Sequence, residues 1–140
     1  MEIDLTISRI ARIHRKADRF LTGQLKAHGL GSLAPSHGDI MLALFQHRQL
    51  TMKRLAELID RDKSTVTALV GKLEGLGYVK RYADTLDSRI SLVSLTDAGA
   101  ALRADFKTIS QKLYQRAFSG LSAADRKTLA ALLTKVDNNL

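Results

Sequence analysis

Two short stretches of this 140-residue chain place hydroxyl and cationic side chains where a polyanion could be held. In the first, Arg61-Asp62-Lys63-Ser64-Thr65-Val66-Thr67, two cations and three hydroxyls crowd the start of an expected helix. Serine and threonine donate to phosphates or base edges, and the free amides of a first helical turn favour an anion. Ser64 and Thr65 could equally serve that turn as caps. Lys63, and Lys72 further along, suit phosphates, because a flexible ammonium is a point charge with little geometric selectivity. In the second stretch, Asp87-Ser88-Arg89 sets a carboxylate two residues before a guanidinium, and Arg81 adds a cation on the strand leading to it. A surface ion pair without a partner is the alternative reading of Asp87 and Arg89.

Other chemistries find little material. The absence of cysteine removes disulfides, thiolate zinc sites, cysteine nucleophiles and thiol redox sensing together. His14, His28, His37 and His47 share no metal-ligand spacing on one helix face, so no metal is expected. The chain has no phosphate-binding glycine loop, no paired catalytic carboxylates and no nucleophile next to a base, which argues for a non-enzyme without a cofactor. A formal charge of +8 and a pI near 10 favour a polyanionic partner. That charge is spread out: residues 1–47 carry 6 basic and 4 acidic side chains, residues 48–89 carry 9 and 6, and residues 90–140 carry 7 and 4. Apolar runs are too short for a bilayer and the start lacks a secretory pattern, so no membrane partner and a cytoplasmic location are expected.

The elements that must position these groups follow from periodicity and punctuation. Ile3, Ile7, Ile10, Ala17 and Leu21, extended by Phe20 and Leu25, recur at helical spacing, with Arg9, Arg12, Lys16 and Arg19 on another face and an exit at Gly29. Ser36 is expected to cap a second helix through Ile40, Met41, Leu44 and Phe45. Thr51 should cap a short third helix burying Leu55, Ala56 and Ile59, and Asp62 a fourth burying Val66, Leu69, Val70 and Leu73 and closed by Gly75 and Gly77. The period then drops to two: Tyr78, Lys80 and Tyr82 alternate with Val79, Arg81 and Ala83. After a turn of about five residues, Arg89 to Leu95 reads as the returning strand of a single hairpin. Thr96 should cap one helix through Ala100, Phe106, Ile109 and Leu113, and Ser122 with Asp125 a last one carrying Leu129, Leu132, Leu133 and Val136.

The fold class expected is mainly α with a small β-hairpin wing, a winged helix-turn-helix flanked by N- and C-terminal dimerisation helices. As one domain over 1–140, it divides into a winged region at 35–99 and dimerisation helices at 1–34 and 100–140. Helix 51–59 would brace helix 62–76, and a helix of that kind fits the major groove of B-DNA with its N-terminal residues nearest the bases. The apolar terminal helices exceed what so small a module can cover alone, and a symmetric pair would read a palindrome with half-sites about one helical turn apart.

Leu55-Ala56-Glu57-Leu58, Asp62-Lys63-Ser64-Thr65-Val66-Thr67, Leu73-Glu74-Gly75-Leu76-Gly77-Tyr78-Val79, Asp87-Ser88-Arg89 and Leu95-Thr96-Asp97-Ala98-Gly99 together resemble the MarR family of multiple-antibiotic-resistance regulators. The resemblance implies that Arg89 enters the minor groove while Asp87 positions it. A narrow groove concentrates negative potential, which suits a planar, permanent cation. Ala68 stands where many relatives carry arginine, and Tyr82-Ala83-Asp84-Thr85-Leu86 is less basic than the usual wing, so fewer charge contacts are expected. The resemblance further implies a homodimer on double-stranded DNA and a small aromatic or phenolic effector, for which His14, Phe20 and Phe45 are the candidate pocket. A DNA-binding repressor is therefore the leading expectation. A non-enzymatic helical adaptor binding protein or RNA is the alternative, and it would bind DNA only weakly, without sequence preference.

Overall fold

The computed structural model describes residues 2–140. The first helix, α1, spans Thr6–Ala27, so Ile3 lies ahead of it and is not part of its stripe. Its exit is a Schellman arrangement: Gly29 adopts φ +75°, its N–H donates to the Lys26 carbonyl, and the Leu30 N–H donates to that of Leu25. Helix α2 spans Pro35–Gln46 and begins one residue before the expected Ser36 cap. Proline occupies the first helical position, where a missing N–H costs nothing, which moves the cap back to Ala34. Alanine's side chain accepts nothing, and the start of the helix keeps only the reverse half of a capping box, in which Nδ1 of buried His37 accepts the Ala34 N–H at 2.9 Å.

Helices α3 (Met52–Ile59) and α4 (Lys63–Gly75) form the helix-turn-helix. Strands β2 (Val79–Ala83) and β3 (Ser91–Leu95) pair antiparallel in the register Arg81 to Val93, as the hairpin requires. The connection covers residues 84–90, longer than the five expected, and the Asp84 N–H donates to the Ile90 carbonyl across its neck. A third strand, β1 (Leu50–Thr51), pairs antiparallel with β3, so the hairpin is part of a three-stranded sheet ordered β1-β3-β2. The side chains with almost no exposure are Ile40 and Met41 of α2, Leu55 of α3, Val66, Val70 and Leu73 of α4, and Val93 of β3. The core thus lies beneath the helix-turn-helix and joins it to the wing.

The single helix expected after Thr96 is two, α5 (Asp97–Ala100) and α6 (Arg103–Ala117). The Leu102 N–H reaches the Gly99 carbonyl three residues back, which breaks the regular ladder while half-buried Leu102 packs on the core. Gly99 lies against the backbone of Tyr78, where a Cβ would meet the carbonyl oxygen. After Gly120 at φ +84°, α7 (Ala123–Asn138) starts on the expected reciprocal cap: Ser122 Oγ accepts the Asp125 N–H at 3.0 Å, and the Asp125 carboxylate accepts the Ser122 N–H at 3.1 Å. No residue of α7 is buried.

Candidate nucleic-acid interface

The turn between α3 and α4 is held by local hydrogen bonds. Thr51 Oγ1 accepts the Arg54 N–H at 3.0 Å and opens α3. Asp60 takes the left-handed conformation at φ 52°, which aspartate tolerates better than most side chains, and the Arg61 N–H closes on the Ala56 carbonyl. Asp62 then caps α4 by accepting the Thr65 N–H at 2.8 Å, and the hydrogen bonds from Thr65 hold its carboxyl below the usual carboxylate range. Ser64 Oγ lies 3.4 Å from the same carboxylate, so Ser64 and Thr65 do belong to the cap. Thr67 Oγ1 donates to the Lys63 carbonyl at 2.9 Å. With Val66, Val70 and Leu73 inside, α4 turns Lys63, Ser64, Thr67 and Ala68 to solvent, and Lys72 is exposed on its last turn.

The wing supplies the facing wall. Arg81 Nε donates to Ser91 Oγ across the hairpin at 2.7 Å, and its backbone N–H donates to Glu74 Oε2 of α4 at 3.1 Å. Tyr82 Oη donates to Gln49 Oε1 at 2.6 Å, tying the wing to the chain just before β1. At the loop, Asp87 accepts three bonds from Arg89: the backbone N–H and Nε to Oδ1, both at 3.0 Å, and a terminal nitrogen to Oδ2 at 3.1 Å. This fork holds a guanidinium that is 89% exposed, lowers the Asp87 carboxyl below its ordinary range and raises Arg89 above its own.

Between α3, the start of α4 and the wing lies a cleft of about 720 Å³. Arg61, Lys63, Thr67, Arg81 and Arg89, all singled out from the sequence, line it together. Lys53 of α3 joins them, giving five cations against the carboxylates of Glu57 and Asp60. Lys53 has no sequence signal of its own, since a helix that braces its neighbour needs no cation there. Ser64, Thr65 and Lys72 lie outside the cleft lining, and Asp87 acts on it through Arg89.

The expected effector residues have separate partners. His14 stands 3.5 Å from Asp18 on α1, the Phe20 ring lies under the Arg116 guanidinium at 5.3 Å, and Phe45 packs on Phe106 at 5.6 Å between centroids. Arg103 crosses the Phe45 ring at 5.0 Å and donates to the Phe45 carbonyl. Among the described residues, no cluster of three or more His, Asp or Glu side chains is placed to hold a metal ion, and no helix is long and apolar enough to cross a membrane.

The family model described as MarR family matches residues 33–91, which run from just before α2 to the start of β3. Beyond that stretch, the fold superposes on a mutant form of Escherichia coli MarR solved with operator DNA, with a TM-score of 0.84, 25% identity and coverage of 97% of this chain and 99% of that one. Residues 33–91 carry the pattern of the MarR family, and the fold as a whole resembles that of MarR. Its likeness to Staphylococcus aureus MepR, solved as a DNA complex, is similar: TM-score 0.88, 26% identity, 99% of this chain and 100% of that one. In sequence, it is 33% identical over 75 residues to the HTH-type transcriptional regulator SarZ of Staphylococcus aureus. That match covers 54% of this chain and about half (51%) of SarZ. The fold class read from the sequence, a winged helix-turn-helix carried by flanking helices, is thus the MarR fold.

Proposed function

We propose that this protein is a MarR-type DNA-binding transcription regulator that acts as a homodimer on a palindromic operator, represses by occluding a promoter, and is released by a small aromatic or phenolic ligand. The observation that carries the DNA reading is Arg89: a forked carboxylate partner presents it, nearly fully exposed, at the edge of a cationic cleft beside α4. A helix in the major groove and a wing over the adjacent minor groove would use both walls of that cleft. The guanidinium matches the negative potential of a narrow groove, while Lys53, Arg61, Lys63 and Arg81 suit backbone phosphates. The DNA complexes of MarR and MepR, which share this fold along almost their whole length, support the same use here.

The dimer reading is supported by α7, which buries nothing, and by apolar side chains left in solvent at both ends of the chain, among them Ile7 at 61% and Leu132 at 53% exposure. Effector release is the family-based part of the proposal. Phe20, Phe45 and His14 remain its candidate site, beside the helices that would carry the change to the DNA-reading lobe.

The test begins with duplexes enriched from a random-sequence library by the purified protein. These are then titrated with the protein and with Arg89→Ala, against scrambled duplex and across a salt series. The expected result is sequence-preferring binding that weakens as salt rises, with Arg89→Ala roughly ten- to a hundredfold weaker. Weak binding with no preferred sequence would instead favour the adaptor reading.

A further inference from the structure

We propose that Leu86 is a second groove-contacting residue of the wing, an apolar wedge that enters the minor groove beside Arg89 and packs against a base step; this rests on the DNA-binding reading above. The outer part of the wing loop is Asp84-Thr85-Leu86-Asp87, which contains no cation. Both carboxylates are turned to local tasks. Asp87 is occupied by Arg89, and Asp84 Oδ1 lies 3.5 Å from the Leu86 N–H. The neck of the loop is closed by the Asp84 N–H donating to the Ile90 carbonyl at 2.9 Å and the Ile90 N–H donating to that of Asp87 at 3.0 Å. Leu86 therefore sits on a loop tied at its neck, and it is 95% exposed.

A leucine in that position contributes nothing to the core, since folding removes almost none of its surface from water. Binding can. Proteins that enter the minor groove place leucine and similar side chains against base steps, partly unstacking them, and recover that cost from the surface the bent duplex then covers. Because the Arg89 charge is offset by its Asp87 partner, the wing's added affinity comes from apolar contact as well as charge. That apolar part is insensitive to salt. Pyrimidine–purine steps deform most easily, so such a step is expected in the bound sequence beneath the wing.

The test uses duplexes enriched from a random library by the parent protein, titrated with the parent, Leu86→Ala and Arg89→Ala over a salt series. Leu86→Ala removes an exposed side chain, so its thermal melting should match the parent. Its affinity is expected to fall about tenfold with the salt slope unchanged, the loss anticipated when most of a leucine is no longer buried. Arg89→Ala should lose affinity together with about one unit of slope. A Leu86→Ala protein that binds as tightly as the parent overturns the wedge while leaving the DNA reading intact. So does one that loses a unit of slope like Arg89→Ala, since Leu86 would then act only by placing the arginine. If the parent enriches no duplex, the DNA reading and the wedge fall together.

Discussion

At the residue scale, the groups that matter most are held by one or two short hydrogen bonds, and such local chemistry is open to acid. His37 is the clearest case. Its Nδ1 must carry a lone pair to accept the Ala34 N–H, and burial, assisted by the positive charge of Lys72, lowers its pKa below the ordinary 6.5. The unfolded chain therefore binds the proton more readily than the folded one. Stability that is complete above pH 6.5 is lost as the pH falls from there through the depressed folded value. We expect the urea midpoint of the protein to drop between about pH 7.5 and pH 5.5, and His37→Gln, which keeps an acceptor but does not titrate, to flatten that part of the profile. Equal slopes for both proteins would assign the acid sensitivity to other groups. His37 as a cap was not legible in the sequence, where Ser36 is the better capping type; the choice depends on Pro35 occupying the first helical position. Asp87 and Arg89 were legible, because two residues of separation within one loop suffice to form the fork.

At the scale of elements, local punctuation places four of the five expected helix caps, Ser36 being the exception. Thr51, Asp62, Thr96 and Ser122 each cap the helix expected of them, and each accepts an N–H from the residue three positions on. Strand β1 shows the opposite case. Leu50-Thr51 is too short to display alternation, and it is a strand only because Leu92 and Val93, some forty residues later, lie opposite. The break between α5 and α6 likewise has no glycine or proline at Ala101-Leu102 to announce it. It depends on Gly99 passing under the wing, and this gives the element-scale prediction. A Cβ at Gly99 would sit 2.0 Å from the Tyr78 carbonyl oxygen, which is backbone and cannot swing aside. Gly99→Ala is expected to cost about 3 kcal/mol or more by overpacking, seen as a lowered denaturant midpoint. A cost below about 0.5 kcal/mol, the range of an indifferent surface change, would mean that α5 moves freely against the sheet.

At the scale of the whole molecule, one core runs from Leu25 of α1 through the winged region to Phe106 and Ile109 of α6, whereas α7 adds no buried residue to it. The apolar spacing of Leu129, Leu132, Leu133 and Val136 was plain in the sequence, but which surface it packs on is a property of the assembled molecule. A sixteen-residue helix without a partner is near the limit of stability in water, so α7 needs a surface to lie on, and in the proposed homodimer a second copy would supply the same apolar stripe by symmetry. Leu132→Glu combined with Leu133→Glu is expected to shift the protein from dimer to monomer in light scattering and to abolish binding to a palindromic duplex. A double variant that stays dimeric would move the interface elsewhere. The unburied α7 also bears on dosage. In the proposed homodimer, a helix completed by a second chain would make the working form scale with the square of the free subunit concentration. Occupancy of DNA would then rise steeply over a narrow range of expression and vanish on dilution, giving the cell a threshold set by mass action even before any small molecule is sensed.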